Sequence, residues 1–191
     1  MLVHFIAPIV GLKENIDNLR SIVKCVQDQG HELASDWLES AYKREIEGPA
    51  SGQEESWERI IQDNLEAIAK AEVVIADISY DGTAVGYQIA TALHQKKPTL
   101  LLLRKGQKIS QFTWNIPSSF LKRVEYSSGD VTSKVVPFIE ENDITTKDMR
   151  FNFFIDRGIY NYLRWAALKT GKTKAEVLRE LVQREIENKE Y

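Results

Sequence analysis

Apolar and polar positions alternate in two rhythms along this chain. Short continuous apolar runs at Leu2–Ala7, in "EVVIADI" and in "PTLLLLR" predict strands covered on both faces. "HELAS" and "RVEYS" predict two weaker strands. Between them the period lengthens to that of a helix. From Asn15 to Gln29, Ile16, Leu19, Ile22, Val23 and Val26 recur on one face, and Gly30 supplies the stop. Helices are also predicted over Trp37–Glu47, from about Glu55 to Lys70, over residues 84–96, and in "VTSKVVPFIEEN". "GPASG" breaks the second from the third as a loop.

Strands alternating with helices imply right-handed crossovers and a mostly parallel sheet with helices on both faces. Residues 1–142 are therefore expected to form a Rossmann-like, flavodoxin-like α/β domain. "ENDITTKDM" lacks periodicity, and residues 143–149 are expected to be a linker. Beyond it, "RFNFFID" alternates like a strand, and "RGIYNYLRWAALKTG" and "KTKAEVLRELVQREIENK" are helical. Gly171 can end the first of these helices, and Thr173 with Glu176 has the spacing of a capping box at the start of the second.

Charge sharpens this division. Residues 1–146 carry 15 Lys and Arg against 21 Asp and Glu, whereas residues 147–191 carry 10 against 7. A basic tail on an acidic body favours an anionic partner at that end. The one cysteine, Cys25, excludes an internal disulfide framework and suits a reducing cytoplasm. His4, His31 and His94 show no metal-ligand spacing, so no metal and no cofactor is expected. No apolar run approaches the roughly 20 residues of a membrane span. The start "MLVHFIAPIV" lacks the features of a signal peptide, so a cytoplasmic protein with no membrane partner is expected.

One strand and two helices in residues 150–191 cannot bury a core alone. A free strand edge invites pairing with the same strand of a second chain. Residues 150–188 resemble the ribbon-helix-helix family of DNA-binding dimers. The likeness rests on "RFNFFID", "TGKTKAEVLRE" and the apolar set Val177, Leu178, Leu181, Val182 and Ile186. It implies a homodimer or higher homo-oligomer with paired strands in the major groove. Phe151, Phe153 and Ile155 would face the helices, while Arg150, Asn152 and Phe154 would read base edges. Phe154 departs from the polar residue usual there. Lys172, Thr173 and Lys174 would hold a phosphate at the helix start. The alternative is a dimerisation tag with a solvated basic face.

"AEVVIADISYDGTAVGYQIATALHQKKPTLLLLR", and more faintly the chain from "VHFIAPIVG" to about Phe138, resembles the nucleoside 2-deoxyribosyltransferase-like superfamily. The nearest likeness within it is to the 2′-deoxynucleoside 5′-phosphate N-hydrolases. In those enzymes a glutamate at the position of Gln88 attacks the anomeric carbon, and its charge stabilises an oxocarbenium-like state. A second family carboxylate falls at Asn64. Neighbouring Asp63 would point about 100° away on a helix. Both acids are thus replaced by amides. An engineered substitution and natural divergence both stay open, and Ala90 in place of the family's glycine points to divergence.

The implied ligand-binding set is Ala7, Pro8, Gly11, Asp36, Trp37, Asp77, Gly82, Thr83, Gly86 and Gln88. Each has a plainer reading. The glycines can serve tight turns, Asp77 can end its strand, Trp37 can be core, and Gln88 can be a surface residue at a helix start. Arg104 and Lys105 read as a solvated edge. The expectation is a ligand-responsive DNA-binding regulator whose nucleotide-binding domain is catalytically degenerate. Two rivals stand beside it: an active nucleoside or nucleotide N-glycosidase or deoxyribosyltransferase that dimerises through its tail, and an antitoxin-like protein-binding partner.

Overall fold

The computed structural model describes residues 1–48, 56–108, 111–143 and 153–188. The chain divides into two compact units, Met1–Asp148 and Met149–Tyr191.

The first unit is built on five parallel strands, β1 (Leu2–Ile6), β2 (Glu32–Leu33), β3 (Val73–Asp77), β4 (Thr99–Arg104) and β5 (Leu121–Tyr126). Their order is β2-β1-β3-β4-β5, and every pairing is parallel. This is the flavodoxin-like doubly wound order, in which the chain reverses its winding direction between β1 and β3. β1 and β3 pair one to one from Val3 opposite Val73 to Ile6 opposite Ala76. The α/β expectation therefore holds, with β2 reduced to two residues.

Alternation within the strands sends side chains to two separate cores. Val3 and Phe5 of β1 join Leu19, Ile22 and Val26 of α1 (Leu12–Asp28) and Val135, Phe138 and Ile139 of α6 (Val131–Asn142). Leu38 and Ala41 of α2 (Leu38–Glu47) complete that layer. On the opposite face Ile6, Val74 and Ala76 pack with Ile68 of α3 (Trp57–Lys70) and with Val85, Ile89 and Ala92 of α4 (Thr83–His94). A short α5 (Gln111–Trp114), absent from the sequence expectation, precedes β5. Four residues are too few to show helical periodicity. Cys25 is buried in the first core, and burial raises its thiol pKa, as befits a structural residue.

In the second unit α7 (Arg157–Thr170) and α8 (Lys174–Asn188) pack through Leu163, Ala166 and Val177. Gly171 ends α7 in the left-handed conformation. The capping box forms: the Glu176 N–H donates to Thr173 Oγ1 at 3.2 Å, and the Thr173 N–H donates to Glu176 Oε2 at 2.7 Å. Those bonds hold the exposed Glu176 carboxyl below its usual pKa.

"RFNFFID" is not a strand in the part described. Among the described residues, 153–156 take part in no strand pairing; the pairing expected was with a second copy of the chain. Phe153 and Ile155, expected to face the helices, are 52% and 36% exposed, and Phe154 is fully exposed. Arg150, Phe151 and Asn152 lie outside the described residues.

Candidate functional site

The loops that follow β1 and β3 meet at the carboxyl edge of the sheet, beside the point where strand order reverses. Ala7 and Pro8 are buried, and the chain turns into α1 through Gly11 at φ +74°. A Cβ at Gly11 would sit 2.4 Å from the Tyr80 ring, so the glycine is required both by its backbone and by the ring lying on it. Across the same junction a Cβ on Gly82 would come within 3.0 Å of the Pro8 side chain. The two loops therefore touch directly. Thr83 is exposed at the head of α4, and Gly86 is half-buried in its first turn.

Gln88 lies on the stripe of α4 that also carries Val85, Ile89 and Ala92, so it turns toward the sheet and is half-buried. Its Oε1 lies 3.2 Å from Nε2 of His4, in the middle of β1. The reading of Gln88 as a plain surface residue is thereby corrected. His4 is fully buried, and desolvation lowers its pKa, so the ring is neutral. Its other nitrogen, Nδ1, is buried without a partner. Asn64 of α3 shares the inward stripe with Ile68 and is half-buried, whereas Asp63 is exposed and lies 3.9 Å from Arg59. α3 and α4 pack side by side over the sheet face that carries His4. Lys97 fixes the end of α3 by donating to the carbonyls of Ala69 and Ala71 at 3.0 and 2.7 Å.

A second polar cluster supports the loop beyond β3 from inside. The Asp77 carboxylate is fully buried; it accepts from the Tyr126 hydroxyl at 2.6 Å and from the Ser79 N–H at 2.9 Å. Burial raises the Asp77 pKa, and these donors partly offset the shift. Burial and the adjacent carboxylate push the Tyr126 phenol well above its usual range. Asn15 Nδ2 donates to the Tyr126 oxygen at 3.3 Å, and Asn18 Nδ2 donates to Asn15 Oδ1 at 2.8 Å. Arg104 donates its backbone N–H to Ser79 Oγ at 2.8 Å, and its guanidinium stands 6.0 Å from the Tyr80 ring centre. Arg104 thus belongs to the scaffold of this loop rather than to a solvated edge.

Asp36 is exposed on the loop after β2. Trp37 is half-buried; its indole N–H donates to the Phe5 carbonyl at 2.8 Å, and its ring stacks on Phe5 at 6.0 Å. Sequence reasoning passed over His4, Tyr80 and Tyr126. For His4 there was a usable signal, a lone polar residue inside the apolar run "LVHFIA". Tyr126 carried none, because its partner Asp77 lies 49 positions away.

In the second unit Arg164, Lys172 and Lys174 line an open groove of about 450 Å³ with Ala167, Leu168 and Gly171. Lys172 pairs with Glu180, and the Lys174 ammonium lies 4.5 Å from the Tyr160 ring centre. Among the described residues, no group of three or more His, Cys, Asp and Glu could hold a metal ion. No helix among them is long and apolar enough to cross a membrane.

No protein-family model and no curated protein matches the chain. Among solved structures, the CMP N-glycosidase BcmB of Clostridium botulinum is similar over 72% of this chain and 99% of its own. The TM-score is 0.51 and the identity 13%. At that identity the similarity is one of fold alone: the first unit has the same parallel α/β architecture.

Proposed function

We propose that the first unit is a nucleotide-binding domain of N-glycosidase type. It takes a nucleoside 5′-phosphate at the carboxyl edge of β1 and β3 and brings the sugar toward Gln88. The observation that carries this reading is the meeting of His4 and Gln88, 84 positions apart in sequence, beside the reversal of strand order where open α/β sheets bind ligands. The shared fold with a CMP N-glycosidase supports it.

Two outcomes at the glycosidic bond separate. Cleavage is the reading that the fold similarity favours. Retention of the intact ligand is favoured by the chemistry of Gln88, because a carboxamide offers neither the charge nor the nucleophile that an oxocarbenium-like state requires. Incubation with CMP and dCMP, followed by chromatography for free cytosine, tests both. Base release that Gln88→Ala abolishes supports cleavage. Saturable binding without release supports retention, and the absence of both binding and release refutes the nucleotide reading.

For the second unit we propose a ribbon-helix-helix-like role, in which two copies pair and Arg150, Asn152, Phe154, Lys172, Thr173 and Lys174 contact DNA. Support comes from the basic groove of Arg164, Lys172 and Lys174, and from Ile159, Trp165, Leu168 and Val182, all more than 40% exposed on the isolated helix pair. Together the two units would make a ligand-responsive regulator. Light scattering tests pairing. Retention on duplex DNA at stepped salt tests contact with phosphate, and a flat salt response refutes it.

A further inference from the structure

The bond between His4 and Gln88 has two possible polarities, and burial chooses between them. If the ring proton sat on Nδ1, a donor with no partner would be buried in an apolar layer, since Nδ1 is enclosed and unbonded. With the proton on Nε2, only a bare lone pair is left unmatched there. Orphaned buried N–H groups are rarer than under-satisfied acceptors, because an unmade donor forfeits its full hydration. His4 therefore donates through Nε2–H, and Gln88 Oε1 accepts, at 3.2 Å.

That polarity fixes what Gln88 offers a ligand. With Oε1 occupied by the ring, the amide NH2 faces away from His4. The only buried unpartnered side-chain nitrogen or oxygen among the described residues is His4 Nδ1, so the Gln88 NH2 is not sealed inside the protein. A carboxylate at this position would accept hydrogen bonds from a ligand; a carboxamide held by its oxygen donates them.

We propose that His4 is a positioning residue that turns Gln88 into a hydrogen-bond donor, so that this edge of the sheet selects a nucleotide presenting an acceptor oxygen of its sugar to the Gln88 NH2. This inference rests on the nucleotide-binding reading and adds the direction of the bond. Positioning the amide in this way makes and breaks no covalent bond.

The test combines a ring-tautomer measurement with binding by the full chain, CMP being the probe. Nitrogen-15 correlation spectra of the imidazole are expected to show the Nε2-protonated tautomer, and an Nδ1-protonated ring overturns the proposal. Losing one such bond is worth about a tenfold change in affinity. His4→Leu and Gln88→Met are each expected to raise the Kd for CMP by about that factor. His4→Gln, which keeps a donor near the place of Nε2, is expected to restore near-wild-type affinity and guards against a variant that merely misfolds. Unchanged affinity in both Gln88→Met and His4→Leu overturns the proposal. If wild type binds no CMP, the nucleotide reading falls, and the tautomer alone then decides whether His4 orients Gln88.

Discussion

Replacing Gln88 by glutamate tests the proposed placement of a nucleotide's sugar at this residue. The new carboxylate would stand where Oε1 does, 3.2 Å from His4 Nε2. The ring is now held neutral by burial, with its pKa below 6.5. A full charge at this range interacts with an imidazolium by on the order of 4 kcal/mol at an effective dielectric of about 20, which corresponds to about three pH units. Desolvation of the added carboxylate opposes this gain, but the His4 pKa must rise, and nuclear magnetic resonance titration reads the rise directly. On the proposed nucleotide reading, the same charge would face the anomeric carbon of the bound nucleotide. Stabilising the oxocarbenium-like state by about 4 kcal/mol corresponds to roughly a thousandfold in rate. Cytosine release from CMP by Gln88→Glu, alone and with Asn64→Asp, is therefore expected to exceed wild type by about that factor. Correctly folded variants that show the raised His4 pKa but release no more base than wild type would refute placement of the sugar at Gln88.

Three further outcomes follow from the same packing. His4 is protonated less readily in the folded chain than in the unfolded one, so its contribution to stability is complete above pH 6.5 and declines as pH falls below that value. Urea melts at stepped pH should show a decline of at most about 1.4 kcal/mol per pH unit from this group, and His4→Leu should remove it. Tyr126→Phe withdraws the 2.6 Å donor from the buried Asp77 carboxylate and is expected to destabilise by about 1.5–3 kcal/mol. That loss should shrink in acid, where Asp77 with its raised pKa takes up a proton and no longer needs a donor for a charge. Gly11→Ala forces a side chain into a left-handed backbone and against the Tyr80 ring; a loss of at least about 1–2 kcal/mol by denaturant melt is expected from the backbone alone.

The parallel sheet was legible because fully covered strands appear as unbroken apolar runs, and "EVVIADI" and "PTLLLLR" are such runs. Gln88 was legible through its neighbours in "DGTAVGYQIA", which place it in the second turn of a helix leaving the sheet. His4 and Tyr126 were not. Their roles come from partners 84 and 49 positions away, and neither periodicity nor local composition encodes such pairings. "RFNFFID" alternates as a strand does, yet alternation specifies a face and not the neighbour that completes a ladder.

The register of β1 against β3 places His4 level with Val74, and Gln88 hangs from a helix seated on that same sheet face. Neither depends on a turn for its position. Substitutions among the connecting segments can thus change which molecules gain entry while leaving the imidazole–carboxamide couple at its set separation. The geometry of the couple and the approach to it are thus set by separate parts of the architecture and are free to diverge at different speeds.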